Sequence, residues 1–169
     1  MAPDAVDDII AAWRRERPDL PVEAMEVWSR VTRLSRRLDR ARSRACATAG
    51  LEIWEFDVLA ALRRAGEPYR LSPGALLAEL EVTSGTMTNR VSRLADRGLV
   101  ERRPNPEDGR GVIVVLTTQG CARVDRALEE LLASEGRLLG AMDAARVADL
   151  GRTLRVVLAR QEELDRDDG

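Results

Sequence analysis

Between residues 84 and 116 the hydrophobic period changes from that of a helix to that of a strand, and few folds can place both in so short a span. Val91 and Leu94, followed by Leu99, supply one apolar helical side, whereas Val112, Val114 and Leu116 recur with period two. Thr83 and Ser84 offer hydroxyls to the orphan backbone donors of a helix start, so a short helix is predicted from about Ser84. Gly98 supplies a left-handed stop, Val100 opens a strand, and Asn105 to Gly111, with Pro106 and Gly109, forms a tip from which the chain returns. The predicted order is helix, strand, basic loop, strand.

The early turns of that helix carry Ser84, Thr86, Thr88, Asn89, Arg90 and Arg93, hydrogen-bonding side chains rather than the Glu/Lys mixture of an ordinary solvated helix. Such a face can contact base edges and phosphates of double-stranded DNA. Arg110 on the tip fits an adjacent minor groove, and Asp108 serves better to hold the tip in shape, because phosphates repel a carboxylate. Upstream, Ser72 caps a short helix with Pro73 at its first position and Leu76, Leu77 and Leu80 on its apolar side. Glu81 to Thr83 is then the turn of a helix-turn-helix, and Gly66 to Leu71 a loop.

Elsewhere the chain is helical by pattern. Val6, Ile9, Ile10 and Trp13 mark an amphipathic helix from Asp4 to Arg17, closed by Pro18; Trp13 is either a docking anchor or the lid of a ligand. Val22 to about Thr48 forms one long helix with Val27, Val31, Leu34, Leu38, Ala41 and Ala45 along one stripe and Arg30, Arg33, Arg37, Arg40 and Arg44 beside it. Those arginines suit a solvated face snorkelling over a seam, a pairing surface for acids of the terminal helices, or the lining of an anion site. Ile53, Trp54, Phe56, Val58, Leu59 and Leu62 mark a third helix, apolar nearly all round and therefore central. Asp57 interrupts it, and a carboxylate there needs a partner, as a site residue or as the structural mate of an Arg. Two further amphipathic helices run from Thr118 to about Leu139 and from Asp143 to about Gln161.

Aromatic residues make up only 3% of the 169, so Leu, Val, Ala and Ile must build the core, which favours helix-on-helix packing. The net charge of -2 hides a strong segregation: residues 30–44 hold seven Arg against one Asp, and residues 82–124 seven Arg against four acids, while 1–29 and 125–169 each sum to -4. A polyanion responds to the local field, so the total does not exclude nucleic acid. The chain has neither His nor Lys, which removes the commonest general base, the commonest metal ligand and Schiff-base chemistry; no catalytic residue, metal or cofactor is expected. With no 18-residue apolar run and an acidic N-terminus, no membrane association and a cytoplasmic location are expected. Cys46 and Cys121 do not form a CxxC pair; a redox sensor is the alternative they allow, small buried thiols the commoner case.

The helix SGTMTNRVSRLADRGLVERR and the wing DGRGVIVVLT, with Asp108, Arg110, Leu116 and Thr117 in a D-x-R…LT pattern, resemble the winged helix-turn-helix of the MarR family of bacterial transcription regulators. The resemblance implies a mainly α fold with a small β-wing. Residues 1–48 would give an N-terminal and a dimerisation helix, 49–117 the winged helix-turn-helix, and 118–169 the C-terminal dimerisation helices of a homodimer. One urate-responsive subgroup adds an N-terminal helix. Its sensing residues match Trp13 before RRERPDL, Asp57 in WEFDVL, Arg90 in TNRV and Arg102 in ERR. The implied ligand is a small anion such as urate or another purine, with a tricarboxylate such as citrate or trans-aconitate as the alternative. An anion held by Arg90 and Arg102 against Trp13 would repel Asp57 and displace the reading helix, coupling ligand to DNA.

Overall fold

The computed structural model describes residues 2–105 and 111–167, in two compact units, residues 1–131 and 132–169. Arg110, Asp108, Pro106 and Gly109, assigned to the wing tip, lie outside the described residues.

The first unit begins with α1 (Ala5–Glu16) and α2 (Glu23–Thr48). Asp4 caps α1 by accepting from the backbone N–H of Val6 at 2.7 Å, and its own N–H donates to Asp7 at 2.6 Å, a capping box that satisfies donors in both directions. Val6, Ile10 and Val22 bury completely where α1 lies on α2, and Arg30 of α2 reaches back to Asp4 at 2.9 Å and Asp7 at 2.7 Å. For Arg30, the acid-pairing role is therefore the one observed. Arg33, Arg36, Arg37, Arg40 and Arg44 have no acid partner among the described residues.

The core is built on α3 (Ile53–Arg64), whose Phe56, Val58, Leu59, Ala60, Ala61 and Leu62 are all buried. Each of its larger side chains contributes about 1.5–3 kcal/mol by leaving water. Around it pack α4 (Pro73–Leu80), α5 (Ser84–Asp96) and the start of α6 (Thr118–Leu139), through Leu76, then Met87, Val91 and Leu94, then Val124 and Ala127. Ser72 caps α4 through the N–H of Ala75 at 3.1 Å, and Thr83 caps α5 through that of Thr86, so both predicted helix starts stand.

Strands β2 (Val100–Pro104) and β3 (Val112–Leu116) are antiparallel, with Val100 opposite Leu116 and Pro104 opposite Val112. The N–H of Asn105 donates to the carbonyl of Gly111 at 2.8 Å and extends the ladder to the base of the tip. One element is absent from the sequence expectation: within the stretch predicted as a loop, Arg70–Leu71 form β1, which pairs with Val115 and Val114 of β3. Two residues carry no readable period, and only the edge offered by β3 makes them a strand. Gly98 adopts the expected positive φ, +68°, between α5 and β2.

In the second unit, α7 (Ala144–Asp167) follows the end of α6 and runs past the predicted end at Gln161. None of its residues is buried, and Leu150, Leu154, Val156 and Leu158 are exposed.

Candidate nucleic-acid interface

Met87, Val91 and Leu94 bury one side of α5, and this turns Ser84, Thr86, Thr88, Asn89 and Arg93 outward, with Arg90 half-buried. The core contact thus decides which face is presented. Two of these groups are already engaged. The Thr86 hydroxyl lies 2.9 Å from that of Thr83, and Arg93 donates to Glu52 at 3.1 Å. Trp54 of α3 lies beneath both guanidiniums, 4.7 Å from Arg93 and 5.7 Å from Arg90. Trp54, Gly85, Thr86, Asn89, Arg90 and Arg93 line an open hollow of about 410 Å³. It is a concave, cationic, hydrogen-bonding surface with an aromatic floor, suited to sugar-phosphate or base edges.

Arg102 of β2 ties the wing to this helix, donating to the Ser92 hydroxyl at 2.7 Å and to the Thr88 carbonyl at 3.2 Å. Asp57 is half-buried and paired with Arg42 of α2. Trp13 is exposed on α1. Among the described residues, no hydrogen bond, ion pair or ring contact joins any two of Trp13, Asp57, Arg90 and Arg102; Arg90 and Arg102 also line different hollows.

The family profile described as MarR family matches residues 49–111. The HTH-type transcriptional regulator PecS of Dickeya dadantii (strain 3937) is 40% identical over 134 residues, covering 79% of this chain and 81% of PecS. The chain belongs to the MarR family. The multiple antibiotic resistance protein MarR of Escherichia coli (strain K12) is 34% identical over 104 residues, 62% of this chain and 70% of that one. A solved structure, a cysteine-to-serine mutant of E. coli MarR complexed with operator DNA, superposes with a TM-score of 0.66 at 30% identity, over 81% of this chain and 96% of that one. The fold expected from the sequence, a mainly α winged-helix transcription regulator with a small antiparallel wing, is the fold found.

Within this MarR-family fold, four side chains that position the outward face of α5 escaped sequence reasoning. Glu55, 1% exposed, is the one fully buried carboxylate among the described residues; Arg97, just past the end of α5, pairs with it, and Arg97 also donates to the carbonyl of Gly50 at 2.7 Å. This fixes the end of the presented helix against the start of α3. The only local signal was that Glu55 stands three residues after the N-cap Glu52, whose N–H it accepts at 2.9 Å. Glu52 and Trp54, the partners of Arg93, are the other two.

Burial pushes both Cys46 and Cys121 above the ordinary thiol range, although Cys121 stands near the start of α6. Nearby Arg42 and Arg63 oppose this only in part. Thiolate is the reactive form, so burial lowers the reactivity of both thiols near neutral pH.

Proposed function

We propose that this chain is a ligand-responsive regulator that binds a pseudo-palindromic operator as a homodimer, inserts α5 into the major groove, and is released by a small anion such as urate or another purine, most simply as a repressor. The observation that carries the DNA contact is the outward face of α5, where Arg90, Arg93, Asn89 and Thr86 surround one open hollow. The solved relative complexed with operator DNA, and the name of PecS as a transcriptional regulator, support the same reading. Exposed apolar side chains on α2 (Val27, Leu34, Leu38) and α7 (Val156, Leu158) support a second copy as partner, since lone soluble chains seldom leave so many uncovered. Two-fold symmetry would set the two reading helices about one DNA turn apart. With neither His nor Lys, the chain is proposed to act by binding alone and not as an enzyme.

The ligand proposal rests on the resemblance of Trp13, Asp57, Arg90 and Arg102 to the urate-sensing set. In the arrangement described, Asp57 is held by Arg42, Arg90 rests on Trp54, and Arg102 clasps α5 through Ser92. An anion that drew Arg102 from Ser92 would loosen the wing from the reading helix. A ligand favouring that state by about 1–3 kcal/mol would weaken DNA binding 5- to 150-fold.

The test is a gel mobility shift, with thermal shift alongside, on the duplex that the protein enriches from a randomised library, with urate and with citrate. Urate is expected to stabilise the protein and release the duplex, and Trp13→Ala or Asp57→Ala to blunt that release while leaving the shift itself. Arg93→Ala should weaken the shift. Release by citrate and not by urate would replace purine by tricarboxylate. Release by neither ends the sensing proposal, and failure to enrich any duplex ends the DNA proposal.

A further inference from the structure

Arg93 lies in the last turn of α5, on its outward face, yet a carboxylate of the protein's own already holds it. Its Nη2 donates to Oε1 of Glu52 at 3.1 Å, and its guanidinium lies 4.7 Å from the Trp54 ring centre. The other oxygen of Glu52, Oε2, accepts from the indole Nε1–H of Trp54 at 2.7 Å. Both carboxylate oxygens are thereby placed, and Glu52 is fixed where it meets Arg93 instead of swinging in solvent. Glu52 and Arg93 stay 59% and 54% exposed, so the pair sits on the surface that faces DNA and not in the core.

We propose that Glu52, pinned by Trp54, is a built-in competitor for the DNA contact of Arg93, standing in for a phosphate in the free protein. The inference rests on the DNA-binding role of α5 proposed above. An exposed ion pair is weak, whereas a bidentate contact of Arg with a guanine edge is stronger. Arg93 therefore leaves Glu52 for a matching base edge and stays with Glu52 when only a phosphate is offered. Glu52 is a positioning residue in this scheme: it touches no DNA and acts through Arg93. Trp54 keeps the guanidinium over its ring during the exchange, so that only the hydrogen-bonding partner changes.

The experiment compares wild type, Glu52→Gln, Trp54→Phe, Arg93→Gln and the Glu52→Gln/Arg93→Gln double variant, each checked by circular dichroism. Two probes are used, the duplex enriched by wild type and a random-sequence duplex, each titrated across salt. Glu52→Gln is expected to tighten binding to the enriched duplex by about two- to fivefold, the range set by the strength of an exposed pair. On the random duplex it should steepen the salt dependence by about one in log–log slope, since Arg93 is then free for a further phosphate. Trp54→Phe, which keeps a ring but removes the donor that pins Glu52, should move both readouts the same way by less. In the Arg93→Gln background the Glu52 substitution should change neither. Unchanged or weaker binding by Glu52→Gln would overturn the proposal. So would an equal gain with Arg93 already replaced, which marks a general charge effect. A wild type that binds neither duplex, or an Arg93→Gln variant that binds as wild type, would instead refute the underlying DNA-contact reading.

Discussion

Removing the Arg97 guanidinium should cost this fold several kcal/mol, and a second substitution should give part of it back. Glu55 is 1% exposed and its oxygens meet Arg97 and, at 2.9 Å, the N–H of Glu52. Arg97→Ala leaves that carboxylate in the core with one backbone donor. Breaking a buried pair from one side costs about 3–5 kcal/mol; because the Arg97 side chain is itself 39% exposed, water can follow it inward and the lower end applies. Losing the hydrogen bond to the Gly50 carbonyl adds about 1 kcal/mol, for a total near 3–4 kcal/mol. Glu55→Gln alone leaves a half-exposed Arg97 that water solvates, and should cost about 1 kcal/mol. In the Arg97→Ala background the same substitution removes the stranded charge and should restore about 1 kcal/mol or more. The assay is urea unfolding at one fixed protomer concentration, with the midpoint read at constant slope. A loss below about 1 kcal/mol for Arg97→Ala, or a destabilising effect of Glu55→Gln in both backgrounds, would refute the assignment of this pair as a buried, coupled tie.

Three further outcomes follow from the same geometry. Gly120→Ala should destabilise by about 1–3 kcal/mol in the same unfolding assay, because its Cβ would stand 2.2 Å from the backbone oxygen of Leu99 and 2.7 Å from Leu116, where backbone cannot yield as a side chain can. The Arg30 guanidinium, with the Val6 and Asp7 N–H groups, holds the Asp4 carboxyl below its ordinary range; the folded pKa is depressed, so its contribution is present above the unfolded value and is lost as pH falls through the folded one. Undocking of α1, followed by the fluorescence of Trp13 and Trp28, should therefore begin only below about pH 4 in wild type, and Arg30→Ala should move it to higher pH. Alkylation of Cys46 and Cys121 should be slow near neutrality and accelerate only above the ordinary thiol range, since burial disfavours both thiolates; rapid labelling at neutral pH would contradict this.

Local chemistry sufficed to read most of the elements from the sequence. The Thr83 cap, the Gly98 stop, Ser72 before Pro73 and the switch from helical to alternating periodicity each act within a few residues, and each stands in the structure. The MarR-like pattern was legible for the same reason, because α5 and the wing are contiguous in the chain. The need of Asp57 for a partner was also legible from its apolar setting, though not that Arg42 would supply it.

What the tertiary structure alone decided are the meetings of residues remote in sequence. Arg97 lies 42 residues from Glu55 and Arg93 lies 41 from Glu52, and no periodicity links either pair. They meet because burial of Met87, Val91 and Leu94 against α3 rotates α5 about its axis until one arginine reaches a buried carboxylate and the other an exposed one. The two-residue β1 likewise exists only because β3 presents an edge to it. Sequence dictates which backbone segments become helix or strand through hydrogen bonds and side-chain period. Packing dictates which charges are neighbours, and with that whether a given arginine on or just after α5 is a structural tie or a group available to DNA.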